Sequence, residues 1–408
     1  MADLPDDPGA LFDHFTALLA ARLPPRPPAK GVTILGAGEG PDTLRRGSEY
    51  VSTMADGGFS TPLWPTEHGG AGLTAHEATV FNEVLADFDV PDLYPFSIGL
   101  HMAGPVIYTY GTDEQKARWL EDIRTGRQIW CQMFSEPDAG SDLASLGTRA
   151  VRDGDEWVLS GQKVWTSRAH YSQWGFCLAR TDPDVPKHRG ITAFALAMDS
   201  PGLTLRPLKQ INRDEHFNEV FLDNVRVPDS QRLAGVGEGW KVAMTTLAHE
   251  RAAAGRGMSD VSVSTIVDLL RRQGRADDPV ARQRAARVIV ELEVMRLTDL
   301  RARQAQLRGG EPGPEGSGGK LRRSVVYKSV ADLAMWLRGP AAVAGAGADP
   351  HDEWNLFFLT SPSLSIRGGT DEIQRNIVAE RVLGLPAEPR TDRDLPFSET
   401  RSLSSRSV

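Results

Sequence analysis

Cysteine is nearly absent from this chain. Two occur in 408 residues, Cys131 and Cys177, which excludes a disulfide-knit secreted scaffold and makes a reducing compartment the default. Neither sits in a CxxC or a paired Cys/His spacing, so no metal site is expected. Apolar residues nowhere run together for the ~18 positions that a spanning helix needs, so no membrane insertion is expected. Basic charge is not in excess either. The 46 Lys and Arg stand against 54 Asp and Glu, which removes a global pull toward nucleic acid and leaves only local phosphate-binding patches open. The opening MADLPDDPGALFDHF is acidic and lacks the basic and apolar regions of a signal peptide. A soluble, cytoplasmic chain of about two to four domains is expected.

Glycine and proline are plentiful, 40 and 27 residues, which implies many turns without low complexity. Between those turns the hydrophobic period changes twice. Up to about Arg127 it is helical: Leu11, Phe15, Leu18 and Leu19 fall on one face, and Thr74–Glu77 and Thr112 carry helix-start signals. Pro and Gly across 24–42 predict a surface loop. From 128 to 233 the period becomes two, in the runs WVLSG, WGFCLA, ITAFALAM, LTLRPL and FNEVFLDNVRV, and DGDEW (153–157) predicts a hairpin. Helical spacing then returns. Along 281–307 the stripe Ala281, Ala285, Val288, Leu292, Met295 and Ala302 is widened by Val290, Val294 and Leu297, which predicts a helix covered on two sides. GGEPGPEGSGG (309–319) is expected as a loop. Helices are expected over 320–338 and 371–383, with a frayed tail after them.

Two clusters could carry chemistry. FSEPDAGSDLASL (134–146) combines the Ser135 and Ser141 hydroxyls with a turn at Pro137–Gly140 whose amides can face an anion. Alone, it also reads as an ordinary strand-to-helix turn. GQKVWTS (161–167) sets Trp165, able to stack on a flat heterocycle, beside two hydroxyls. Alone, it also reads as a strand with a core tryptophan.

Together the two clusters resemble the flavin-binding segments of the acyl-CoA dehydrogenase flavoprotein family. WPTEHGGAG (64–72) is similar to that family's N-terminal signature. SPGLTLRPL, FNEVFLDNVRVP, GEGWKVA and GTDEIQRNIVAERVLGLP resemble its later landmarks, in order over roughly Pro62 to Pro386. The implied fold is mainly α with a central β domain. It comprises N-terminal helices (1–127), a β-barrel or sandwich (128–233), a C-terminal four-helix bundle (234–388) and a flexible tail (389–408).

The resemblance implies FAD as cofactor. By motif position, Phe134 and Ser135 face the flavin pyrimidine edge, Ser141 the pyrophosphate, Trp165 the isoalloxazine and Ser167 its N5. Thr370 and Glu372 match positions that meet the phosphates or the ADP part, although the best-known members carry Gln where Glu372 stands, and a carboxylate repels phosphate. The implied reaction is α,β-dehydrogenation of an acyl thioester, in which a carboxylate removes the α-proton and the β-hydride goes to flavin N5. Many relatives place that carboxylate two residues before the Thr of the C-terminal motif, and here that residue is Gly368. A second branch takes it from a Glu-Arg pair on the first long C-terminal helix, which matches Glu250-Arg251, so Glu250 is the expected base. His249 points about 100° away on a helix and is not expected to partner it. Arg367 and Gly368 are expected near the substrate, Arg367 either reaching a phosphopantetheine arm or facing solvent.

Implied partners are an acyl-CoA or acyl-carrier-protein substrate, electron-transfer flavoprotein or another electron acceptor, and a homo- or hetero-oligomer arranged as a dimer of dimers. The family's Gln-x-x-Gly-Gly interface signature has no counterpart, since RGPAAVAGAG (338–347) stands there. Two other outcomes stay open: a non-catalytic partner subunit of a heteromeric dehydrogenase, or a flavin oxidase or monooxygenase on the same fold.

Overall fold

The computed structural model describes residues 4–5, 7–27, 32, 40–254, 261–307, 313–314, 316–344, 352–389 and 392–404. They form two compact units, one of 1–26, 38–250 and 389–408 and one of 27–37 and 251–388.

The first unit begins with helices that follow their sequence signals. In α1 (Pro8–Ala20) the Asp7 carboxylate caps the Ala10 amide, and Leu11, Phe15 and Leu19 are buried. Next come α2 (Pro41–Ala55), α3 (Ala75–Leu85), α4 (Gly104–Tyr110) and α5 (Asp113–Arg124). Thr74 and Glu77 close a capping box on α3, and Thr112 with Gln115 does the same on α5. Each box satisfies amides that the first helical turn leaves open. The 24–42 loop expectation lies largely outside the described residues, but α2 already starts at Pro41, whose fixed φ suits a first helical position.

The WPTEHGGAG signature has a packing role. The Trp64 indole is buried and donates to the Leu100 carbonyl at 3.0 Å. A Cβ at Gly70 would lie 2.2 Å from the Trp64 carbonyl oxygen, and one at Gly104 would lie 2.0 Å from its ring. Only glycine lets backbone pass so close to the indole.

The β domain contains β1 (Trp130–Met133), β2 (Arg149–Asp153), β3 (Glu156–Ser167), β4 (Trp174–Arg180), β5 (Ile191–Ala197), β6 (Leu203–Leu208), β7 (Phe217–Pro228) and β8 (Arg232–Leu233). Among the described residues they join one sheet in the order β6-β7-β3-β2-β4-β5-β8, with β1 parallel to β4. All seven residues of β4 are buried. Trp174, Phe176 and Leu178 pack with the N-terminal helices, while Cys177 and Ala179 pack into a second cluster with Phe194 and Leu196. Burial raises the Cys131 thiol to about 12 and the Cys177 thiol to about 11, so both stay protonated. From the sheet the chain enters α6 (Gly239–Ala254).

The second unit contains α7 (Val263–Arg272), α8 (Pro279–Leu307), α9 (Gly316–Arg338), α10 (Ala341–Ala344), α11 (Glu353–Thr360) and α12 (Asp371–Ile377), after which α13 (Phe397–Ser404) returns to the first unit. The α8 stripe Ala281, Ala285, Val288, Leu292 and Met295 joins a core with α7, α9 and α11.

Four expectations are corrected. Ala302 is exposed rather than part of the α8 stripe. Val290, Val294 and Leu297 are 61%, 45% and 53% exposed, so this chain covers α8 on one side. Gly316 to Gly319 are helical, not loop, because first-turn amides need no intrahelical partner and Ser317 is buried there. The described part of the tail, 392–404, is not frayed, since Phe397 is buried and its amide donates to the Val185 carbonyl at 3.0 Å. Residues 309–312, 315 and 345–347 lie outside the described residues.

Candidate functional site

The two clusters singled out in the sequence meet in the first unit. Phe134 is buried at the end of β1, edge-on to Phe176. After it, Glu136 and Ala139 exchange backbone hydrogen bonds of 3.0 and 3.1 Å, which closes the turn and leaves Gly140 and Ser141 exposed. The Glu136 carboxylate folds back to accept from the amides of Gly147 at 2.6 Å and Thr148 at 2.9 Å. It also meets the ammonium of fully buried Lys163 at 2.7 Å, and that ammonium donates to the Phe134 carbonyl at 3.2 Å. Burial by itself would push the Glu136 carboxyl up, but the Lys163 charge and these hydrogen bonds outweigh it and hold the group below its ordinary value.

Sequence reasoning passed over this pair. The available signal was a lysine on an inward position of an alternating strand, which requires a buried acid nearby.

Beyond Lys163 the ladder slips. Lys163 pairs with Val220 but Thr166 pairs with Asn218, so β3 carries one extra residue. The Val164 amide turns away and donates to the Ser135 carbonyl at 2.9 Å, joining the two clusters directly. Trp165 takes a φ of 59° and stands 59% exposed, its ring edge-on to Phe217. A left-handed φ at a bulky residue is strained, and bulges commonly re-aim a side chain at a functional site. Arg168 also has a left-handed φ, 62°. Thr166 and half-buried Ser167 lie between these two kinks, and the buried Thr166 Oγ1 has no hydrogen-bond partner among the described residues. The result is an open indole face with the Ser135, Ser141 and Ser167 regions on adjoining backbone, a donor set suited to a flat, anionic heterocycle.

Glu250 lies near the end of α6 and is half-buried. It falls within about 40° of Ala243 and Thr246 around the helix axis, and both of these are buried. The position therefore continues the stripe of buried residues on α6. Burial lowers neighbouring His249 from its ordinary value. The side chain of Arg251 lies outside the described residues.

Arg367, Gly368, Thr370 and Glu372 lie together in the second unit, on the turn into α12. Gly368 and Gly369 have φ of 64° and 84°. Thr370 caps α12, its hydroxyl accepting from the Ile373 amide at 3.3 Å. Buried Gln374 donates to the Gly368 carbonyl at 2.9 Å and holds the turn. Glu372 is exposed and paired with Arg375 at 3.2 Å. The buried carboxylate of this helix is Asp371, which accepts from Lys320 at 2.9 Å and from Ser324.

Among the described residues no His, Cys, Asp and Glu group could hold a metal ion, and no helix is long and apolar enough to cross a membrane.

Comparison with known proteins agrees with this architecture. Residues 41–127, 131–225 and 237–383 match, in turn, the N-terminal, middle and C-terminal domains of acyl-CoA dehydrogenase. Acyl-CoA dehydrogenase IpdE1 of Mycobacterium tuberculosis is 39% identical over 361 residues, spanning 87% of this chain and 92% of that protein. The solved structure of the Tcur3481-Tcur3483 steroid ACAD superposes with a TM-score of 0.73 at 28% identity, over 95% of this chain and 100% of that one. The ChsE4-ChsE5 complex from Mycobacterium tuberculosis gives 0.72 at 27% identity, over 95% and 99%. With all three domains matched in order, the chain belongs to the acyl-CoA dehydrogenase family of oxidoreductases.

Proposed function

We propose that this chain dehydrogenates an acyl-CoA thioester between Cα and Cβ, with FAD held by the 134–142 and 163–167 segments and Glu250 as the base. The observation that carries the assignment is Glu250 itself, a half-buried residue in register with buried Ala243 and Thr246 on α6. The alternative base position is Gly368, whose φ of 64° suits glycine.

The residues fit a flavin. Trp165 offers a strained, open indole face, and the hydroxyls of Ser135, Ser141 and Ser167 are chemically matched to ring and phosphate oxygens. When bound, FAD supplies the acceptor for the β-hydride. Glu250 takes the α-proton. That proton is weakly acidic, so the carboxylate must be kept from water for its basicity to rise toward the task. Phe134 supplies an apolar wall. Thr370, with its hydroxyl already capping α12, can still donate to a phosphate oxygen. Glu372 cannot, and its pairing with Arg375 is its role in this reading. Arg367, beside Gly368, is the cation this reading assigns to a pantetheine or phosphate group.

The names of the structural relatives extend the reading. One is a steroid ACAD, and two are named as pairs of chains, which supports a bulky polycyclic acyl group and an unlike partner subunit here. The exposed apolar stripe of α8 suits such a partner. Electron-transfer flavoprotein is the acceptor this reading favours.

The test is anaerobic titration of the purified protein, alone and with a co-purified partner, against straight-chain and steroid-side-chain acyl-CoAs, followed by flavin absorbance. Bleaching by an acyl-CoA supports the dehydrogenase. A protein that binds flavin yet is bleached by none is a silent partner subunit, and peroxide release during turnover marks an oxidase.

A further inference from the structure

We propose that the C-terminal segment 392–404 is a strap that holds the Ser141–Leu146 turn in the shape that receives the cofactor, acting through Lys187 and Arg180 as positioning residues. The inference rests on the assignment of that turn to FAD.

Two buried cations fasten the turn. Lys187 meets the Asp142 carboxylate at 2.9 Å and the Ser145 hydroxyl at 3.4 Å. Arg180 donates to the carbonyls of Ala144 at 2.6 Å and Leu146 at 3.0 Å, and to that of Lys187 at 3.0 Å. The tail lands on both cations. The Asp392 carboxylate lies 2.6 Å from the Lys187 ammonium, and the Phe397 ring lies 3.6 Å beneath the Arg180 guanidinium.

Backbone bonds fix the landing. Pro396 bridges Pro186, the Phe397 amide donates to the Val185 carbonyl at 3.0 Å, and the Ser398 amide to that of Pro183 at 2.9 Å. Asp142 is exposed and follows Ser141 directly. Among the described residues the cation that holds it is Lys187, which it shares with Asp392, so removing the tail takes one of two carboxylates from Lys187 and the Phe397 ring from Arg180.

The experiment compares wild type with a chain lacking 389–408 and with Asp392→Asn, Lys187→Gln and Lys187→Arg. FAD affinity is measured by flavin fluorescence and amide exchange at 139–148 by mass spectrometry. The single substitutions cover the case in which the shortened chain fails to fold. The strap predicts that the deletion and Lys187→Gln raise the FAD Kd roughly tenfold, with faster exchange confined to the turn, while Lys187→Arg stays near wild type. Unchanged affinity and exchange in a variant whose parent binds FAD overturn the strap alone. A wild-type protein that binds no FAD overturns the cofactor assignment and this proposal with it.

Discussion

The Lys163 ammonium and the Glu136 carboxylate meet 2.7 Å apart inside the β domain, joining two sequence clusters 27 residues apart. Lys163 has no exposed surface, and its ammonium also donates to the Phe134 carbonyl. The pair thus sets the spacing between the Ser135 turn and the Trp165 bulge.

Removing one partner strands a buried charge. Lys163→Met is expected to lower unfolding free energy by about 3–5 kcal/mol. The double variant Lys163→Met, Glu136→Gln removes both charges and is expected to lose less than the single one. Urea unfolding of the three proteins reads the coupling, and strictly additive losses contradict it.

Trp165 separates strain from function. Trp165→Gly relieves a left-handed φ worth about 1–2 kcal/mol and sacrifices little packing, because the side chain is 59% exposed. Apo-protein stability is expected to stay within about 1 kcal/mol of wild type, the relief being offset by glycine's entropy. Flavin retention is expected to fall sharply. A variant that melts early and keeps its flavin reverses both expectations.

Acid stability should report Asp229. Its carboxylate accepts from Arg232 at 2.8 Å and from the Trp157 indole at 2.7 Å, and these bonds lower it from 3.8 to about 2. A depressed folded-state value contributes stability above the unfolded value and loses it as pH falls through the folded one. The stability gap between wild type and Asp229→Asn is therefore expected to be full above about pH 4 and to close toward about pH 2. Glu136, also held low, adds to the same acid limb. A gap independent of pH contradicts the assignment.

The α8 stripe should be an interface. Val290→Glu with Val294→Glu places charge on two exposed apolar positions, so helix content is expected to survive while assembly mass measured by light scattering drops. An unchanged mass removes α8 from the contact.

The architecture was legible wherever periodicity and capping agreed. The Thr74–Glu77 box, the Thr112 cap and the five strand runs stand where the alternation put them. The site was legible as chemistry but not as geometry. The one-residue bulge moves the inward positions of β3 from Trp157, Leu159 and Lys163 to Thr166, a change of phase that the residue types in GQKVWTS did not announce. Glycine content argued against helix at 316–319, but tertiary burial of Ser317 overrode a weak local preference. The tail read as frayed because one phenylalanine makes no period, and Phe397 is held by a guanidinium from a distant strand. On α8, apolar spacing marked two faces alike, and hydrophobicity cannot say which of them this chain's own core covers.

The central claim is that Glu250 removes the substrate proton, and one variant addresses it. Glu250→Gln preserves the size of a half-buried residue on α6 while removing its basicity. Rapid mixing of FAD-loaded wild type and variant with an acyl-CoA that bleaches the wild type gives the flavin reduction rate. The account predicts unchanged FAD content and a rate lower by about 10²–10⁴-fold. Reduction of Glu250→Gln at the wild-type rate contradicts it.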